Sequence, residues 1–395
     1  MNQHIAQTLP PLALDRLPEV AAKLAERAEQ HDREGSFPHE GVGHVHEAGL
    51  LTATVAAEYG GPGGGLATVV EILRVLGSAD PSVALVTAMT LFTHATQATT
   101  KAWPGRHYRR LLEDSAAGPA LVNALRVEPE LGTPSRGGLP ATTARRDPET
   151  GDWLLTGHKI FSTGAVGLRW LSVWARTEDE ERPRVGAFLV RAEQPGEVPG
   201  LRIEPTWDHL GLRASRSDDT ILEDVRVPGD ATSGLVDPSS TDPRRDPGLL
   251  VWNNLGLTAL YLGVAQAARN WLITFLHERT PSALGKPLAT VPRFQAEVGE
   301  IEARLVTAVD LVSALALRFD AGDPEAAEHS RAAKLIGTRA AIDAVQRAVA
   351  LVGNNALTRR NPLERHLRDV LCSRVHTPQD DSILAVLGTA ALARY

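Results

Sequence analysis

Hydroxyl-bearing and aromatic residues crowd the end of one apolar stretch, WLLTGHKIFSTGA at 153–165. A strand over 153–156 is expected to break at Gly157, restart through Lys159, Ile160 and Phe161, and stop at Ser162, Thr163 and Gly164. Such an ending lays an open ledge. Hydroxyls and backbone N–H groups there can hydrogen-bond a planar heterocycle while Phe161 packs against its ring. His94 stands alone in a helical stretch, where a structural role is the ordinary one. The EYGGPGGG loop at 58–65 has no hydrophobic strand before it, which argues against a dinucleotide-binding reading of its glycines. Cys372 is the single cysteine, so an internal disulfide and a cysteine-based metal site are excluded, and no metal is expected.

The elements that must position this ledge follow from pattern. In 395 residues with ordinary composition there is room for two or three core-bearing units. A net charge of −7 without any basic run gives no reason to expect nucleic acid. The start lacks the basic and apolar regions of a signal peptide, and the most apolar stretch, 249–268, is interrupted by Asn253, Asn254, Thr258 and Gln266. A buried helix, a soluble cytoplasmic protein and no membrane are the expectations. In the first third, Leu17, Val20, Leu24 and Ala28 recur at helical spacing, and further helices are expected over 67–76 and 81–98. The middle third holds short segments rich in branched and aromatic residues at 121–127, 141–145, 153–161, 170–176, 185–190, 201–206 and 221–227. These predict a small β-barrel or sandwich rather than a parallel α/β sheet. A polar link at 228–247 leads to a last third in which Ile301, Leu305, Ala308, Val312, Leu315 and Phe319 line one helical face, and Ile342, Val345, Val349 and Val352 another. These are bundle seams. The fold class is α+β: a helical unit over 1–119, a β unit over 120–230 and a four-helix bundle over 231–395.

In that order, the motifs resemble the acyl-CoA dehydrogenase superfamily of flavoproteins. EYGGPGGG resembles its early Tyr-Gly-Gly loop, VEPELGT at 127–133 its Thr-Glu-Pro-x-x-Gly-Ser, and GHKIFSTGA its Gly-x-Lys-x-Trp-Ile-Thr-Asn. HLGLRASRSDDTILEDVRVP at 209–228 resembles the Leu-Gly-x-Arg-x-Ser block, and Gly353 with PLERHLRD at 362–369 the closing glycine segment and Arg-Asp pair. The resemblance implies an N-terminal helical domain, a central β-barrel and a C-terminal four-helix bundle. It implies FAD held across a subunit interface of a homotetramer or dimer. Gly132 and Thr133 would approach the flavin, Phe161 would replace the family tryptophan, and Thr163 would bond near N5. Arg279, Gly353 and Asn354 would meet a neighbouring subunit's FAD, where a guanidinium suits a pyrophosphate.

The departures bear on the chemistry. Dehydrogenation of an acyl thioester needs a base for the α-proton. The family glutamate shortly after Arg-Asp is here Thr377, and the alternative glutamate position is Asn253, followed by Asn254 in place of an arginine. Neither threonine nor asparagine takes a proton at neutral pH. Val127 replaces a flavin-contacting threonine, and Ala350 a glutamine. Near the base position remain His376, Asp380 and Asp381 in RVHTPQDD. One reading makes His376 or Asp381 the substitute base of an enzyme acting on an acyl-CoA or related thioester, with Asn253 and Asn254 beside the substrate and an electron-transfer flavoprotein as partner. Another follows the flavin monooxygenases of the same fold. There His376 and His94 line the pocket, and FMN or another reduced flavin arrives from a separate reductase. A third makes the chain a flavin-binding scaffold without turnover.

Overall fold

The structure, a computed structural model, describes residues 8–131, 138–178, 181–193, 197–238 and 248–393. The N-terminal unit comprises α1 (Leu17–Glu34), α2 (His39–Glu47), α3 (Leu66–Ala79), α4 (Pro81–Thr100) and α5 (Gly105–Ala117). Leu17, Val20, Leu24 and Ala28 of α1 are buried, as their spacing predicts. Asp80 starts α4 by accepting from Ser82 N (2.9 Å) and Val83 N (3.2 Å), with Pro81 preset at the first position. Apolar on nearly every side, α4 is buried over most of its length.

Eight strands form one sheet: β1 (Leu121–Leu125), β2 (Thr143–Arg146), β3 (Trp153–Lys159), β4 (Leu168–Thr177), β5 (Val185–Arg191), β6 (Leu201–Glu204), β7 (Asp219–Val227) and β8 (Thr232–Val236). Their order is β6-β7-β3-β2-β4-β5-β8, with β1 alongside β4. β1 and β2 both run parallel to β4, and the other pairs are antiparallel. Two details differ from expectation. Gly157 does not break β3; the ladder with β7 shifts register between Leu155 and Gly157 and continues to Lys159, so Ile160 and Phe161 lie beyond the strand. The polar link also starts later than its composition suggests, because Thr232–Val236 pairs with β5.

The last unit holds α6 (Gly248–Glu278), α7 (Pro292–Asp320), α8 (Pro324–Val352), α9 (Leu363–Leu371) and α10 (Asp380–Leu392). The predicted seams of α7 and α8 are buried, with Phe319 and Val349 at their margin. α6 is apolar all round because it has neighbours all round: α3 and α4 on one side, α7, α8 and α9 on the other. At its crossing with α3, a Cβ on Gly263 would lie 2.1 Å from the Arg74 carbonyl, so only glycine lets the two backbones meet. The three-domain, mixed α and β architecture expected from the resemblance is present. Among the described residues no helix is long and apolar enough to cross a membrane.

Candidate active site

The ledge beyond β3 is assembled mainly by backbone. Ile160 N donates to the Val127 carbonyl (3.0 Å), Ser162 N to Asp218 O (3.2 Å), Gly164 N to Ser215 O (2.9 Å) and Ala165 N to Arg216 O (3.1 Å). Asn123 of β1 donates Nδ2 to Thr163 O at 3.1 Å. This stitching leaves Phe161 in the left-handed region at φ 56° with its ring half exposed. A non-glycine residue there carries strain, and such strain concentrates at ligand-facing positions. Trp207 and His209 stack at 3.6 Å and 10°, and Phe161 stands edge-on to both at 6.3 and 5.8 Å. Behind the ring lies a row of hydroxyls. Ser215 Oγ and Ser217 Oγ, both buried, are 2.9 Å apart, and Ser217 donates to Thr163 Oγ1 at 3.2 Å. Thr163 thus keeps its own O–H for an outside acceptor. Ser162 Oγ is buried with no protein partner.

Two of the sequence motifs lock to each other beneath the ledge. Lys159 donates to Glu128 and to the Trp174 carbonyl, while Glu128 accepts from Thr142 Oγ1 (2.6 Å), Thr142 N (3.1 Å) and Ala141 N (2.6 Å). Burial pushes Lys159 down to about 8. Burial also pushes Glu128 up, but the hydrogen bonds from Lys159 and Thr142 outweigh it and leave it below the usual carboxylate range. The pair is ionised at neutral pH.

The loop between β6 and β7 joins the ledge to the last helices. Leu212 N donates to Asp369 Oδ1 at 2.7 Å, and a Cβ on Gly211 would sit 2.5 Å from the Arg368 carbonyl. That contact accounts for the glycine of the Leu-Gly-x-Arg block. Arg368 binds Asp32 of α1 at 2.6 and 2.9 Å, Glu364 at 2.7 Å and the Leu210 carbonyl at 2.8 Å. Burial raises Asp369 to about 7, partly offset by the Leu212 N–H.

His376 follows α9 in a segment held between α6 and α8. Its half-buried ring lies 5.7 Å from the ring of the buried Tyr261, tilted by 42°. Burial, then the Lys334 cation, lowers it to about 4, so the imidazole is neutral at pH 7. Asn253 donates to the Thr377 carbonyl and Lys334 to the carbonyls of His376 (2.6 Å) and Pro378. The Tyr261 hydroxyl is buried without a protein partner.

The other predicted residues separate. Asp381 is exposed on the first turn of α10, and Asp380 pairs with Arg339 at 2.9 Å. Asn254 faces the bundle interior, giving Nδ2 to Ser330 Oγ (2.9 Å) and leaving Oδ1 unpartnered. His94 is fully buried, its Nδ1 3.0 Å from the Tyr108 hydroxyl, and burial lowers it to about 4. It packs within the helical core with its Nε2 unpartnered. Arg279, Gly353 and Asn354 are exposed, and a Cβ on Gly353 would meet nothing within 4 Å. Gly132 and Thr133 lie outside the described residues. Reading the sequence missed Trp207, Tyr261 and Lys334 and gave no role to His209. Ser215 and Ser217 were marked by RASRS in the Leu-Gly-x-Arg-x-Ser block, but nothing in the sequence marked Lys334.

Family profiles described as the acyl-CoA dehydrogenase N-terminal, middle and C-terminal domains match residues 19–105, 128–225 and 255–380. The chain is 31% identical over 383 residues to the Bacillus subtilis protein named "Putative acyl-CoA dehydrogenase YdbM", covering 96% of each. It is 30% identical to the L-evernosamine nitrososynthase of a Micromonospora species, over 90% of this chain and 84% of that one. Among solved structures, KijD3 in complex with FMN and a dTDP-3-amino-4-keto sugar superposes with a TM-score of 0.77 at 29% identity, covering 96% and 93%. The chain belongs to the acyl-CoA dehydrogenase superfamily of flavoproteins.

Proposed function

We propose that the chain is a flavin-dependent oxidoreductase that dehydrogenates an acyl-CoA or related acyl thioester at Cα–Cβ, with His376 as the proton acceptor. The observation that supports this most is the neutral, half-buried imidazole beside Thr377, where the family base is otherwise lost. The ledge fits a flavin: Phe161 offers an exposed ring, Thr163 an outward hydroxyl, Val127 flanks them and Ser162 Oγ lacks a protein partner. Gly353, Asn354 and Arg279, all exposed, would approach the FAD of a second copy, and Gly132 and Thr133 of the VEPELGT motif would approach the flavin. Bound flavin supplies the hydride acceptor. His376 takes the α-proton onto its neutral ring, and Asn253 keeps the segment in register through the Thr377 carbonyl. Asp381 is exposed on the first turn of α10, outside the segment that Asn253 and Lys334 hold.

A direct test loads the protein with FAD and mixes it anaerobically with acyl-CoAs from butyryl to palmitoyl. Loss of the yellow absorbance with at least one of them is expected. His376→Asn should slow it by about 10²–10⁴-fold. No bleaching by any chain length, or an unimpaired His376→Asn variant, would refute the assignment.

A second reading is an oxygenase fed with reduced flavin by a reductase. The unpartnered, buried His94 Nε2 and the likeness to a nitrososynthase support it. Tight binding of reduced FMN or FAD with no binding of the oxidised form would favour this reading.

A further inference from the structure

Lys334 raises a question that neither the ledge nor the base answers. It is a nearly fully buried ammonium on α8, and no carboxylate lies within ion-pair distance among the described residues. Burying such a charge without an ion-pair partner is costly, and burial pushes Lys334 down to about 8 against the pull of Asp380. Its neighbours on the same face are Ser330, Ala333, Gly337 and Thr338, all small, so α6 packs close: a Cβ on Gly337 would lie 2.4 Å from Thr258. An apolar side chain would suit that crevice. The ammonium instead donates to the carbonyls of His376 (2.6 Å) and Pro378, while Asn253 of α6 takes the carbonyl between them, on Thr377. Three successive carbonyls of an irregular segment are therefore held by side chains of two helices.

We propose that Lys334 is a positioning residue, which holds the segment carrying His376 through the carbonyls on either side of Thr377 and places its ammonium next to that histidine. The catalytic part of this inference rests on the proposed function above; the protonation part does not. Among the described residues the groups around His376 are Tyr261 from α6, with Asp369 and Cys372 acting on its hydroxyl, and Lys334 from α8, on which Asp380 of α10, engaged by Arg339, acts in turn. Of these, Lys334 is the one cation that acts directly on the ring, and a like charge disfavours protonation of an imidazole. The two carbonyls that accept from the buried ammonium offset part of its cost, and its charge adds to burial in keeping the imidazole neutral.

The test needs no substrate. Only neutral imidazole reacts with diethyl pyrocarbonate, so the pH dependence of carbethoxylation at His376, read by peptide mass spectrometry on the whole protein, gives its titration midpoint. Lys334→Met should raise that midpoint by about one unit or more, as expected for removal of a close like charge. Lys334→Arg, which retains the cation, should leave it near the wild-type value. Should Lys334→Met not fold, Lys334→Gln carries the same expectation, and far-ultraviolet circular dichroism decides which variant is used. A midpoint unmoved in the neutral variant overturns the assignment. In the acyl-CoA bleaching assay, Lys334→Met should lose about tenfold to a hundredfold in rate with little change in apparent KM, the signature of a misplaced group. A His376→Asn variant that bleaches at full rate would overturn the catalytic reading and leave the titration result standing.

Discussion

The ledge of the β unit and the His376 segment of the bundle are built in opposite ways. At the ledge, backbone N–H groups and carbonyls fix the chain, and side chains such as Phe161 and Thr163 are free to face outward. In the His376 segment the backbone has no ladder of its own; Lys334 and Asn253 reach in from two helices to hold it. A site held by backbone tolerates exchange of its side chains, which explains how Phe161 can stand where the resembling motif has tryptophan. One held by distant side chains can change its chemistry with a single helix substitution. The ledge expected to face the cofactor keeps its motifs with exchanges at Val127 and Phe161, whereas the segment expected to handle protons lacks both family base positions.

Four substitutions press on this contrast. His376→Asn should cost about 10²–10⁴-fold in the rate of anaerobic flavin bleaching by acyl-CoA, with the melting temperature little changed. Lys159→Met leaves Glu128 buried and charged beneath the ledge and should destabilise by about 3–5 kcal/mol in a urea titration. Phe161→Gly separates strain from binding: relief of the left-handed backbone should stabilise the apoprotein by about 1 kcal/mol, while flavin affinity by fluorescence titration falls. Asp381→Asn should change bleaching by about twofold at most, because the carboxylate is exposed at a helix start. A large loss there would move the base out of the clamped segment and erase the distinction. The pH dependence has a defined sign. His376 accepts a proton only above its own midpoint, so activity should fall as pH drops toward about 4 and His376→Asn should lack that limb.

Much of the architecture was legible from periodicity. The α7 and α8 seams and the α1 face emerged from apolar spacing because each helix buries one stripe. The ledge was readable as well, since an apolar run ending in Ser162, Thr163 and Gly164 is a local signal. Gly157 misled because a register shift and a strand break share the same residue type. The burial of Asn254 and His94 was not legible for another reason. Polar residues on helices can face a pocket or a packed core, and sequence spacing alone does not say which neighbour covers them. Lys334 was invisible because its partners are carbonyls 42 and 44 positions away, which leave no trace in side-chain identity.

Arg368 carries one more consequence. Its guanidinium grips Asp32 of the first helix, Glu364 of its own helix and the Leu210 carbonyl of the loop leaving the sheet. All three units of the chain therefore share one charged knot, and none can come apart without breaking it. Differential scanning calorimetry should accordingly show one cooperative endotherm rather than stepwise melting, and native-state hydrogen exchange should find the amides of α1, the sheet and the bundle opening at a common free energy.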